Sequence, residues 1–564
     1  METEVAKNFH LLDVIVLIGY IVAITIWGVW LMRKIKTSDS YFRGDRKFNI
    51  WVMIGQSFGT GTHSENFVAQ TGITFQAGFS TIWYQWKNML ITPFYWLIAP
   101  WYRRSEKTTV GEIVQQRYGN KMGLVYTVFA IAYFVLSQGV MLQGAAKVVA
   151  IATGNIISPT GVILVMTVAF ILYSFLGGLV ASAYLMLLQS SMIIVLSLML
   201  IPFGFYEVGG YAGMHESLPS EYFTLVSAKS GIGTFTILML AINGIVGITA
   251  QPHILSVSAT GNSERAGRIG LTYGSFVKRF CTIGWAFTGI IVAAMAAQRG
   301  ITLDDPEFAF GFAARELLYP GLTGLLVASI LAANMSTCSN FMVNTGALCS
   351  HDLYNRYINL EANDRQLLWM GRYSGFGLTI LGVLFALTID NVLHAFLFTE
   401  TIAAFMGIII FGGILWRRAN RYGAAAAVIV SFCLYYVLNY LNIGELKLVY
   451  EWEPEPFGWT MLAGFVALIL VSLITKPENK TRMEEFFDNQ KRLSDMDDQL
   501  KQGEERPLAR DHKKDLLLLD IQTYLSKSRW IGFFKRHKED ILGFFLAWGF
   551  VGFLVFIAWL IIQF

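Results

Sequence analysis

Residues 51–78 read WVMIGQSFGTGTHSENFVAQTGITFQAG, an apolar segment that turns polar in its middle. Gly59, Thr60, Gly61, Thr62, His63, Ser64, Glu65 and Asn66 form one unbroken polar run. A helix facing lipid does not tolerate such a run. Glycines weaken helix and let the backbone approach a ligand closely. Unwound backbone at membrane depth survives only where protein buries it or where it lines a cavity. The stretch therefore predicts a discontinuous helix that offers carbonyls to an ion.

The surroundings make this a membrane argument. The chain has 564 residues, of which 54% are hydrophobic and 15% charged, with mean hydropathy +0.50. Soluble chains carry about 25% charge. The composition excludes a disordered chain, a disulfide-rich secreted domain and an ordinary soluble enzyme. Fourteen candidate spans are expected, at 11–32, 51–75, 79–101, 124–152, 157–177, 180–203, 233–258, 276–298, 319–347, 373–392, 396–416, 422–441, 458–475 and 540–563, each near the ~20 residues a bilayer requires. The first has no basic region before it and no small-residue cleavage site after it, so it is read as a span, not a leader.

The net charge of +4 is topological and gives no sign of nucleic-acid binding. With the N-terminus outside, Arg33, Lys34, Lys36, Arg43, Arg46 and Lys47 fall in the first inner loop. Arg103, Arg104, Lys107, Arg117 and Lys121 fall in the next, then Arg265, Arg268, Lys278 and Arg279, then Arg356 and Arg365, then Arg417, Arg418 and Arg421. The positive-inside rule thus sets both termini on the outer side. Cys281, Cys338, Cys349 and Cys433 lie in or beside apolar segments without a CxxC pair, which supports neither zinc nor disulfide roles. Residues 476–537 are the one sizeable polar segment. They are read as a solvated tether for the last span, with an amphipathic stretch from Met483 to Leu500.

Other spans also break the rules. Lys87 sits inside TIWYQWKNMLITPFYW, with Gln85 two residues before it. Lys87 can pair with Glu65, offsetting two buried charges, or meet a solute carboxylate, with Gln85 bonding the same ligand. His63 and Glu65 can equally form a structural pair. The seventh span, LAINGIVGITAQPHILSVSATG, carries Gly244, Gly247 and Pro252; proline removes a ladder bond and frees a carbonyl. His253 beside it faces substrate or is a satisfied core histidine. Interrupted second and seventh spans, each opening a set of five, point to an inverted-repeat transporter with a midplane site. In the ninth span, Ser336, Thr337, Ser339 and Asn340 make a polar patch. Its hydroxyls, with freed carbonyls, suit a monovalent cation; the alternative is hydroxyls bonded to the preceding helical turn.

These residues resemble the sodium:solute symporter family, the group of proline, pantothenate, sialic acid and sodium/glucose transporters. The resemblance covers most of 11–475 and rests on DSYFRGDRKFNIWVMIGQSFGT, SFLGGLVASAYLMLLQ and AANMSTCSNFMVNTGALCSHDLYNRYI. It implies an all-α polytopic fold of the leucine-transporter type, a five-plus-five inverted repeat with peripheral helices. The expected division is 1–50 (peripheral helix and loop), 51–208 and 209–420 (the two repeats), 421–475 (two peripheral helices), 476–537 (polar cytoplasmic segment) and 538–564 (last span). The resemblance further implies a sodium site of the Thr60, His63 and Ala333 carbonyls with the Ser336 and Thr337 hydroxyls. Solute contacts fall at Ser64, Glu65, Phe67, Gln85, Lys87, Gln251 and His253. Where many members carry an acid in the sixth span, this chain has Tyr184-Leu185-Met186, which removes a carboxylate from any second sodium site and implies one ion per cycle. The QPHI string is nearer the proline branch than the sugar branch. The expectation is Na⁺-coupled symport of an amino acid or other small organic acid across a bacterial inner membrane, with no catalysis, no nucleic acid and no obligate protein partner; coupling to protons through His63 or Glu65, a sugar or polyol as cargo, and a solute sensor are the alternatives.

Overall fold

The computed structural model describes residues 9–32, 48–105, 107, 109–228, 231–253, 257–258, 260–491, 516–520 and 532–563, with backbone alone for 24–25, 27–32, 172–185, 488–491 and 519–520. The first basic loop, the Tyr184 and Leu185 side chains and most of 476–537 lie outside these limits.

The long helices are α1 (Leu11–Met32), α2 (Ile50–Gly61), α3 (Ser64–Ala77), α4 (Thr92–Ser105), α5 (Val110–Tyr118), α6 (Asn120–Ala152), α7 (Pro159–Glu207), α8 (Thr234–Gly247), α9 (Glu264–Arg299), α10 (Leu322–Ala347), α11 (Asp364–Ala386), α12 (Val392–Leu415), α13 (Arg421–Ile443), α14 (Pro454–Ile474), α15 (Lys480–Lys491) and α16 (Lys538–Gln563). Extended pairing among the described residues is limited to two isolated bridges, Phe48 with Gly261 and Ser227 with Ile232. The first ties the start of α2 to the start of α9.

Both expected interruptions are present. α2 stops at Gly61, Thr62 and His63 are extended, and α3 begins at Ser64. α8 stops at Gly247, tightens into a 3-10 turn over Ile248–Ala250, and Gln251 is extended. α9 lies along both halves of the first broken helix. It can do so because Gly274 and Gly289 face it: a Cβ on Gly274 would stand 2.7 Å from the Ile54 carbonyl, and one on Gly289 2.7 Å from that of Thr71. Small residues allow such close backbone contact in membranes.

Three expectations are corrected. The spans at 157–177 and 180–203 form the single helix α7; Gly177-Gly178 weakens helix, yet neither residue removes a backbone bond. Nine helices among the described residues are long and apolar enough to cross a membrane, with shorter apolar helices at Leu11–Ala23, Pro159–Ile171 and Thr234–Ala250. The second and third expected spans are cut into short pieces, so helix length does not establish fourteen crossings. Finally, several basic residues assigned to inner loops are buried. Lys278 and Arg279 lie within α9, which begins at Glu264, well before the expected span. Arg104 pairs with Glu264 at 2.9 Å, and Arg117 donates to the carbonyls of Gly413, Trp416 and Ala419 at the end of α12.

The periphery is docked as well. In α15, Phe486 and Phe487 are buried, the first against Trp101 and Arg117, the second with Arg417 4.4 Å from its ring centre. This part of the polar segment is packed, not solvated. α16 is held to α4 and α9 by Arg268 with Asp540, by Trp96 Nε1 donating to the Glu539 carbonyl at 3.0 Å, and by Phe94 against Phe544. At the other end of the chain, Asp13 of α1 is 1% exposed, and its Oδ1 accepts from Gly321 N and Gly324 N, both at 2.7 Å. A carboxylate there satisfies amides that α10 leaves open and suits the helix dipole. Asp13→Ala is expected to cost about 1–3 kcal/mol, read as a lower thermal midpoint in detergent, with Asp13→Asn recovering part of the loss.

Candidate solute and sodium site

The break between α2 and α3 frees backbone groups that need other partners. On the amide side, Asn66 Oδ1 accepts His63 N–H at 3.2 Å and Asn334 Oδ1 of α10 accepts Ser64 N–H at 2.8 Å. On the carbonyl side, Thr337 Oγ1 donates to Gly59 O at 2.9 Å, His63 Nε2 lies 3.2 Å from Thr60 O, and Lys278 Nζ donates to Gly61 O. Side chains from α9 and α10 thus replace the missing helical bonds.

The expected sodium residues gather at this junction. Ser336 Oγ donates to Ala333 O at 2.8 Å, and Thr337 Oγ1 approaches the same carbonyl at 3.1 Å. The Ser336 bond to the preceding turn is therefore made, and the single Thr337 proton is placed between the Ala333 carbonyl and, slightly nearer, the Gly59 carbonyl of α2. A hydroxyl giving its proton to a carbonyl keeps its lone pairs, so these oxygens retain the capacity to accept a cation. The donor set is neutral oxygen throughout, which fits a hard monovalent ion. Beside it, Thr60 Oγ1 receives Asn340 Nδ2 at 3.0 Å and faces Met186 Sδ at 3.5 Å. A thioether and an amide surround the position, with no carboxylate.

A cavity adjoins the break, with about 70 Å³ open to the centre of a water-sized sphere. Of the expected residues, Thr60, His63, Glu65, Gln251 and His253 line it. His253 lies between the rings of Tyr133 and Phe341, so it is both packed and cavity-facing. Ser64, Phe67, Gln85, Lys87, Ala333, Ser336 and Thr337 are not in the lining. Ser64 is committed to Met141 O and Asn334, and Phe67 packs on Trp285 and Phe310.

The expected Glu65–Lys87 pair does not form. Glu65 contacts His63 Nδ1 instead. Lys87 reaches Glu400 Oε2 at 3.2 Å and Asn243 Oδ1 at 3.1 Å, and Gln251 Nε2 donates to Glu400 Oε1 at 2.9 Å. Glu400, from α12, is the residue the sequence reading missed. Its signal was present: it is the single charge in AFLFTETIAAFMGIIIF, and lone intramembrane acids are functional candidates. Lys278 and Arg279 also line the cavity and were missed because they were counted as loop charges.

Two broken helices around a cavity, with an oxygen-rich junction beside it, define a secondary transporter of the leucine-transporter type. The chain belongs to the sodium:solute symporter family, which it matches over residues 41–431; it is a membrane symporter that couples a small solute to sodium. It is 26% identical over 487 residues to the osmoregulated proline transporter OpuE of Bacillus subtilis, covering 82% of this chain and 95% of that protein. It is 24% identical to sodium/glucose cotransporter 1 of Oryctolagus cuniculus, covering 75% and 71%. Among solved structures, the substrate-bound, outward-open Na⁺-coupled sialic acid symporter superimposes with TM-score 0.69 at 18% identity, covering 83% of this chain and 99% of that one.

Removing one member of a buried pair costs about 3–5 kcal/mol, whereas removing both costs much less. Lys87→Met and Glu400→Gln should each lower the thermal midpoint strongly, and the double variant should recover most of the loss. Additive single effects in that double-mutant cycle would show that the two residues are not coupled.

Proposed function

We propose that sodium binds between the end of α2 and α10, on the Thr60, His63 and Ala333 carbonyls and the Ser336 and Thr337 hydroxyls, and that the solute occupies the adjoining cavity. The observation that supports this most is the Thr337–Gly59 bond, which brings α10 onto the broken helix where a shared ion would bridge them. Ion binding orders the break, which also carries His63 and Glu65 into the cavity. Sodium therefore raises solute affinity, and the solute raises sodium affinity by the same factor. Both ligands favour closure of the outer side, and relative movement of two repeats, 51–208 and 209–420, then opens the site inward. The solute is an amino acid or another small organic acid, and one sodium moves per cycle because Met186 supplies no second carboxylate. The protein sits in a bacterial cell membrane with both termini outside, and its reaction is vectorial.

Uptake into proteoliposomes under a sodium gradient, set against a pH gradient, tests the coupling. Accumulation should require sodium, and transport driven by the pH gradient alone would sink the reading. In the Ser336→Ala/Thr337→Ala variant, the sodium concentration for half-maximal uptake should rise about tenfold or more, a loss of ~1.4 kcal/mol or greater. An unchanged sodium dependence in that variant would remove the ion from this position.

A further inference from the structure

Lys278 and Arg279 are consecutive residues of α9, 7% and 3% exposed, and both line the cavity. Their hydrogen-bonding capacity is only partly spent. Lys278 carries three protons and gives one to the Gly61 carbonyl. Arg279 carries five; Nη1 lies 3.4 Å from the Gln85 carbonyl, the Tyr95 hydroxyl takes a further side-chain bond, and Nε is buried with no acceptor.

Among the described residues, no carboxylate forms a direct ion pair with either, although Glu65 and Glu400 lie close enough to be felt. Both oxygens of Glu400 are engaged, by Lys87 and by Gln251. Glu65 Oε1 contacts His63. Among the described residues at the cavity and immediately behind it, Lys87, Lys278 and Arg279 face Glu65 and Glu400, an excess of one positive charge before any on His63; Tyr95, Tyr133 and His253 complete the titratable groups. An uncompensated charge in a buried site is costly, and a bound sodium adds a second. A neutral sugar leaves that excess in place. A zwitterionic amino acid adds equal charges of both signs. A net anion reduces it, and a guanidinium beside an ammonium matches a carboxylate in charge and shape.

We propose that the transported solute is a net anion, its carboxylate held by Arg279 and Lys278 and a hydroxyl or N–H group of the same molecule donated to Glu65. The last assignment follows from Glu65 Oε2, which is buried without a hydrogen-bond partner. The proposal rests on reading the cavity as the solute site. It narrows the cargo from organic acids and amino acids together to hydroxy- or amido-carboxylates without an ammonium group.

The test is thermal unfolding of the purified full-length protein, with and without sodium, in lactate, glycerate or gluconate, against proline, serine and glucose. At least one hydroxy-carboxylate should raise the midpoint by about 2–4 °C, and the zwitterions and the sugar should do less. Arg279→Gln and Lys278→Gln should each weaken that anion tenfold or more. Arg279→Lys, which keeps the charge, should retain measurable binding, and Arg265→Gln, at an exposed position of the same helix, should not differ from wild type. A larger shift with proline, serine or glucose overturns the proposal, as does no shift with any hydroxy-carboxylate or an undiminished shift in Arg279→Gln. An anion shift that is indifferent to sodium leaves this assignment standing and removes the coupling proposed above.

Discussion

The backbone between Gly61 and Ser64 has given up its helical bonds inside the protein, beside the cavity, and much of the molecule is arranged around that deficit. The freed groups draw partners from three places: Asn334 and Thr337 from α10, Lys278 from α9, and Asn66 and His63 from the segment itself. An unsatisfied amide or carbonyl in an apolar interior costs several kcal/mol. The break therefore cannot move without the helices that serve it, and this is what makes a local irregularity useful to a transporter. A ligand that alters bonding at the break acts on α9 and α10 together.

Much of this was legible in the sequence because polarity inside an apolar run is informative. The Gly-Thr-Gly-Thr run, the Gly247 to Pro252 interval and the Ser336-Thr337 pair all appear where the sequence placed them. What was not legible was partnership. Lys87 was visible as a buried cation, but its carboxylate lies 313 residues away at Glu400, and periodicity carries no information about such pairings. Helix limits were the other weak point. α9 begins a dozen residues before its apolar core, so Lys278 and Arg279 looked like loop charges although they are interior ones. The Gly177-Gly178 pair looked like a turn, and helical bonding runs through it.

The interior charges fall into two kinds. Glu400 has both oxygens engaged by protein groups, and with Lys87 it ties the turn that carries Lys87 to α12. Arg279, and to a lesser degree Lys278, keep donors in reserve. The first kind fixes a scaffold. The second gives the cavity a sign, since a group with spare donors attracts whatever acceptor arrives. A bare tally of charged residues would not separate them; the hydrogen-bond inventory does.

The packing of α15 and α16 has a consequence for covalent continuity. α15 is seated through Phe486 and Phe487, and α16 through Asp540, the Glu539 carbonyl and Phe544. Each is anchored to the body of the protein by contacts of its own, and Leu517 N–H adds a bond to Asp540 Oδ2 at 2.9 Å. A cut between α15 and Leu517 would leave every one of these contacts in place, so the two pieces would still carry complementary surfaces.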